Sequence, residues 1–135
     1  LMDLVFTNSI LKSVEENAVK RPNVNALYDE TGRDTRKISY KNLHEQVKGT
    51  TQFLRDHSFC SGDRAGLYFK NAIEFPILHL GVWTCGGTIV GVSTLIDADE
   101  LRELWIDSET SVVFTTKHHL ETAIRAASGC PVLRV

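Results

Sequence analysis

Gly86-Gly87-Thr88-Ile89-Val90-Gly91 is the first stretch that could do chemistry, because the N–H groups of a glycine-rich loop can cradle a phosphate. The glycines such a loop needs, two and five positions apart, are not all present, and position 88 is Thr. The stretch also falls at the end of an expected helix and the start of a strand, where free carbonyls and the negative end of the dipole repel phosphate. These glycines are therefore read as a left-handed helix cap and a point of close packing. A helix that starts just after a strand is the better place for an anion. Such starts fall at Asn71, Asp97 and Thr116. Glu74 follows the first, and Asp99 and Glu100 follow the second, so carboxylates already stand where an anion would sit. Thr115-Thr116-Lys117-His118-His119 alone keeps an acceptor-poor start with a cation. It reads as a surface cap with solvated side chains, and a phosphate titration decides between that and anion binding.

Metal and nucleophile chemistry find less support. His118 and His119 are adjacent, hence about 100° apart on a helix, and cannot face one metal as an i, i+4 pair can. His44, His57 and His79 have no carboxylate or cysteine at ligand spacing, so surface or half-buried packing explains each. Cys60, Cys85 and Cys130 lack the partners of a nucleophile motif and form no CxxC pair. Cys85, beside Gly86-Gly87, is expected to be buried and unreactive. No catalytic, cofactor-binding or metal-ligating residue is assigned within 1–135.

The elements that would position such groups form one domain. At 135 residues and 42% hydrophobic content, the chain can bury about two thirds of its unfolded surface. A net charge of −2 gives no basic face for nucleic acid or an anionic membrane. The opening Leu1-Met2-Asp3-Leu4-Val5-Phe6 lacks the basic start and apolar length of a signal peptide. Leu1 ahead of Met2 suggests a chain that does not open on its native start. The most apolar region, 75–92, is broken by Pro76, His79, Thr84 and three glycines, so no membrane span is expected. Three widely spaced cysteines fit a reducing, intracellular compartment.

Periodicity gives a helix at 9–20 behind Asn8 and Ser9, a hairpin from strands 25–29 and 36–39, and a helix at 40–56 capped by Ser39. From Ser58 onward, apolar strands and helices alternate: strand 64–69, helix 73–85, strand 88–93, helix 98–107, strand 111–115, helix 117–127 and strand 131–134. The fold class is α/β, a mainly parallel sheet flanked by helices in three layers, with a small N-terminal hairpin and helix. Residues 1–57 form a helix-hairpin-helix lead-in, and 58–135 a βαβαβαβ unit. Strands 88–92 and 111–115 are apolar at successive positions, as a sheet covered on both faces requires. Asp97 and Glu100 have the spacing of a capping box. Pro76 is tolerated if regular helix begins near Ile73.

Three motifs occur in an order that resembles the front end of the adenylate-forming enzymes, which include acyl- and aryl-CoA ligases such as 4-coumarate–CoA ligase, luciferases and peptide-synthetase adenylation domains. Ile38-Ser39-Tyr40-Lys41-Asn42-Leu43 is similar to the family's first core motif. Gly62-Asp63-Arg64 leads an apolar strand, and Trp83-Thr84-Cys85-Gly86-Gly87-Thr88-Ile89-Val90-Gly91-Val92 is similar to the second motif. Cys85 stands at the family's usual Ala, Gly91 where Pro is common, and Thr94 where a second Pro often stands. Those departures leave the subfamily open.

In that family these motifs support the fold, and the chemistry lies further along: a Ser/Thr/Gly-rich loop with Lys for the ATP phosphates, a Tyr-Gly-x-Thr-Glu segment, a ribose-binding Asp and a Lys in a C-terminal lid. None has a counterpart in 1–135. The resemblance implies a parent enzyme that uses ATP, Mg²⁺ and CoA to turn a carboxylate into an acyl-adenylate and then a thioester. The segment is expected to be its inactive N-terminal subdomain, binding no cofactor itself. Its expected partner is the remainder of the parent chain, or a second copy through an open sheet edge or an exchanged N-terminal helix. The compartment is then cytoplasmic or peroxisomal. A free-standing α/β interaction module derived from this fold is the rival reading. A small doubly wound nucleotide or receiver-like domain is disfavoured, because no acidic cluster or glycine fingerprint sits at a strand's C-terminal end.

Overall fold

A computed structural model describes residues 9–32 and 34–130. The lead-in comprises helix α1 (Ile10–Lys20), strands β1 (Asn25–Asp29) and β2 (Arg36–Ser39), and helix α2 (Tyr40–Asp56). Ser9 caps α1 by accepting from the Lys12 N–H, and Ser39 caps α2 by accepting from the Asn42 N–H. The hairpin is antiparallel and pairs Leu27 with Ile38, Tyr28 with Lys37 and Asp29 with Arg36. Ile38 turns inward onto Leu43 and Val47 of α2, as the alternation of a half-buried strand demands.

The second part alternates as the sequence predicts: β3 (Arg64–Tyr68), α3 (Glu74–Thr84), β4 (Thr88–Gly91), α4 (Ala98–Asp107), β5 (Thr110–Thr115) and α5 (Leu120–Ala127). The sheet is parallel in the order β4-β3-β5, with Ala65 opposite Ile89 on one side and Val112 on the other. The expected strand at 131–134 lies outside the described residues. The final helix begins at Leu120, three residues later than the periodicity predicts. Thr116 to His119 instead form a turn in which the His119 N–H donates to the Thr116 carbonyl at 3.0 Å. Regular α3 begins at Glu74, so Pro76 falls in its first turn, where a missing N–H leaves no helical bond unmade.

Successive strand residues meet different helices. On one face, Ala65 packs with Leu54 of α2, Phe59 and Val82 of α3, with Ile89, Val112 and Phe114 alongside. On the other, Tyr68 packs with Leu101 and Trp105 of α4 and with Ala123 and Ala126 of α5. This is the three-layer arrangement that continuous apolar strands require. Trp105 is 1% exposed and meets the Tyr68 ring edge-on at 6.3 Å. Gly66 lets it approach, since a Cβ there would lie 3.1 Å from the indole nitrogen. That nitrogen is buried without a hydrogen-bond partner. Asp97 and Glu100 form the expected capping box at the start of α4.

A third cluster joins the lead-in to the sheet: Ile38, Leu43 and Val47 meet Ile73, Ile77 and Leu80. α2 and α3 meet at Thr50, Thr51 and Gly81. The buried Thr51 hydroxyl donates to the Val47 carbonyl at 2.8 Å, and a Cβ on Gly81 would lie 2.5 Å from the Thr50 methyl. Gly81→Val therefore forces the two helices apart and is expected to lower unfolding stability by about 1–3 kcal/mol, an overpacking cost. Urea denaturation with an unchanged midpoint would remove the crossing as a constraint.

Candidate functional site

In a parallel sheet, ligands gather at the strands' C-terminal ends. Here that edge consists of Tyr68-Phe69-Lys70-Asn71 after β3, Val92 to Asp97 after β4, and Thr115 to His119 after β5. The Val92 N–H donates to the Leu67 carbonyl at 3.2 Å, and the Thr115 hydroxyl donates to the Tyr68 carbonyl at 2.8 Å. These bonds hold the three loops in register.

The glycine turn lies at the opposite edge. Gly86 has a φ of +74°, its N–H donates to the Trp83 carbonyl, and the Gly87 N–H donates to the Val82 carbonyl. That pair of bonds is a Schellman cap on α3. A Cβ on Gly87 would lie 2.5 Å from the Phe59 ring, and one on Gly86 would lie 2.6 Å from the Ser61 hydroxyl. The turn is thus structural, as its position in the sequence indicated, and its geometry does not fit the phosphates of ATP.

Two of the three helix starts are closed by carboxylates. At α3 the closing group is Asp29, from the hairpin, which the sequence did not single out. It accepts from the Thr31 hydroxyl, from the Thr31 N–H at 3.0 Å and from the Ile73 N–H at 3.1 Å. The Thr31 hydroxyl and N–H, with the Ile73 N–H, hold its carboxyl below the usual carboxylate range against the opposing effect of burial. Arg36 makes a two-point contact with Glu74, and those hydrogen bonds hold the Glu74 carboxyl below its ordinary value as well. At α4, Asp97 accepts from the Glu100 and Asp99 N–H groups at 3.0 and 2.9 Å, which likewise lowers its pKa. α5 begins without a side-chain cap.

The remaining cysteines and two of the histidines make local contacts with backbone carbonyls. His57 and His79 each hold a ring nitrogen 2.8 Å from the carbonyl four residues back. Cys85 is half-buried with its sulfur 3.7 Å from the Thr51 carbonyl, Cys130 is half-buried with its thiol pushed up by burial, and Cys60 is exposed. His118 and His119 do fall together, with ring centroids 4.7 Å apart and the His119 ring 5.3 Å from Tyr68. Among the described residues, no three His, Cys, Asp or Glu side chains converge as a metal site would, and no helix is long and apolar enough to cross a membrane.

A family model described as AMP-binding enzyme matches residues 14–134. Among curated proteins, the 4-hydroxybenzoate--CoA/benzoate--CoA ligase of Rhodopseudomonas palustris is 32% identical over 73% of this chain and 18% of its own length. The acetyl-coenzyme A synthetase of Pyrobaculum aerophilum is 32% identical over 64% of this chain and 13% of its own. Among solved structures, a benzoate CoA ligase from Burkholderia xenovorans superposes with a TM-score of 0.80 at 18% identity, covering 92% of this chain and 24% of that one. The chain belongs to the AMP-binding enzyme family, the adenylate-forming superfamily whose relatives here are acyl- and aryl-CoA ligases. It spans less than a fifth of the length of the curated relatives it matches.

The carboxylate clamp on α3 carries a pH dependence. Because the folded-state pKa values of Asp29 and Glu74 are depressed, their contribution is complete above the unfolded carboxylate value of about 4 and is lost as pH falls through the folded values. Urea titrations at pH 7 are expected to show a higher midpoint for the native sequence than for Asp29→Ala. The gap is expected to narrow below about pH 4; a constant gap would show that the carboxylate charge is irrelevant.

Proposed function

We propose that this chain is the N-terminal subdomain of an AMP-forming acid–thiol ligase that joins a carboxylic acid to CoA through an acyl-adenylate, consuming ATP with Mg²⁺. The observation that carries the reading is the family match across nearly the whole chain, joined to relatives of which the chain covers less than a fifth. Residues 1–57 serve as the lead-in and 58–135 as the sheet unit. The segment supplies scaffold to the parent enzyme, and the acid is selected by residues elsewhere.

The geometry agrees with a supporting role. The family's second motif forms the cap of α3 at the edge of the sheet away from the strands' C-terminal ends, and the first places Ser39 as the cap of α2. Tyr40 follows that cap, and its N–H donates to the Val24 carbonyl at 3.0 Å. Both motifs hold elements together. An intracellular setting, cytoplasm or peroxisome, belongs to the same reading and fits three free cysteines among the described residues.

The isolated segment is also proposed to self-associate, by pairing at a sheet edge or by exchanging α1. Support for the exchange comes from α1 itself, which buries none of its residues fully. The side-chain hydrogen bonds from Lys20 to Glu16 and from Arg21 to Asn17 stay within this segment. Ile10 and Val19 remain exposed. Light scattering is expected to show a mass that rises with concentration, and a constant monomer mass across the range would sink the idea.

The function is tested by pyrophosphate release. The purified 135-residue chain is expected to give none with ATP, CoA and a panel of aromatic and aliphatic acids. The polypeptide encoded by the whole reading frame is expected to release pyrophosphate with at least one acid. Turnover by the 135-residue chain alone would refute its role as scaffold, and inactivity of the whole product on every acid would refute the ligase assignment.

A further inference from the structure

α1, α2 and the end of α3 enclose a groove of about 730 Å³. Its apolar lining is buried or half-buried, with Leu11 and Val14 from α1, Val47 from α2 and Leu80 from α3. Its charged lining is mainly cationic: Lys12, Lys48 and Arg55 stand against the single carboxylate of Glu15. All three cations are exposed, and none has an ion pair among the described residues. A chain of net charge −2 thus carries a locally positive groove.

The complementary surface is on α4. Leu101 and Trp105 are buried, so helical spacing turns Asp99, Glu103 and Ile106 together to the exposed side, with Asp107 beside them. Ile106 is 44% exposed. Asp99 is paired with Arg102, whose guanidinium also donates to the Ser128 and Arg125 carbonyls. Glu103 and Asp107 have no ion pair among the described residues, so the face presents an apolar side chain beside two unpaired carboxylates.

From this complementarity we infer that the cationic groove of one copy is the seat for the α4 face of a second copy. The lengths agree: the α2 wall from His44 to Arg55 runs about 16 Å, and α4 runs about 15 Å. Ile106 enters the apolar lining and leaves water, while Glu103 and Asp107 meet the cations around it. α2 and α4 cover opposite faces of the sheet, so no copy reaches its own groove. Contact between two unlike patches adds copies head to tail. The inference rests on the self-association proposed above and supplies a contact that needs neither an open sheet edge nor an exchanged helix.

The test is sedimentation velocity on the 135-residue chain at rising concentration. The native sequence is expected to gain mass in low salt and to lose it in about 1 M NaCl, where screening acts within about 3 Å. Lys48→Glu with Arg55→Glu, and separately Glu103→Lys with Asp107→Lys, are each expected to weaken association about tenfold or more, because each sets like charges face to face. An equimolar mixture of the two variants is expected to regain native association, since the groove of each then fits the α4 face of the other. Should a reversal disturb the far-ultraviolet dichroism, Lys48→Gln and Glu103→Gln are expected to weaken association in the same direction. A monomer at every concentration would overturn the inference together with self-association itself. Association that ignores the changes on either surface, or a mixture of folded variants that stays monomeric, would overturn this contact alone.

Discussion

The close crossing of α2 and α3 is the constraint on which the rest of the architecture depends. Gly81 lies against Thr50 with no room for a Cβ, and the neighbouring Thr51 hydroxyl is satisfied inside the joint by the Val47 carbonyl. A bulkier residue at 81 would separate the helices and open two apolar clusters at once. α2 contributes Leu43 and Val47 to one of them and Leu54 to the other. α3 likewise gives Ile77 and Leu80 to the lead-in and Val82 to the sheet. Helix α3 is apolar nearly all round because it is sandwiched between the two, which is what such a helix needs in water.

From that joint the two edges of the sheet acquire different characters. At the N-terminal edge, Gly86 and Gly87 close α3 and let Phe59 and Ser61 pack against the turn. At the C-terminal edge, the hairpin reaches over to α3, and Asp29 and Arg36 hold its start through Ile73 and Glu74. One side of the ligand edge is thereby closed by charge pairing. The same sheet thus separates a close-packed glycine turn from a helix start held by charge and hydrogen bonds.

Membership in the AMP-binding enzyme family is consistent with this division of labour. The two family motifs carried by the chain serve as a helix start and a helix end, positions whose work is to fix backbone direction. A segment covering 18% of a related benzoate--CoA ligase is of the size to provide one layer system of a larger enzyme. Its value to such an enzyme would be rigidity and the orientation of the strand ends.

Much of this was legible in the amino acids alone, because apolar periodicity and capping chemistry are local. Ser39, the Asp97 and Glu100 pair, the glycine turn and the alternation from β3 to α5 each announce themselves within a few residues, and hydrogen bonds to adjacent backbone are settled there. The order β4-β3-β5, the Asp29 clamp and the Gly81 crossing join residues tens of positions apart. The late start of α5 belongs with them: the period predicts a helix from 117, yet the His119 ring lies against Tyr68, some fifty residues earlier, and the chain turns before it winds. Spacing along a chain encodes which surface an element must bury; which partner covers that surface, and which charges then meet, is decided only when distant elements pack.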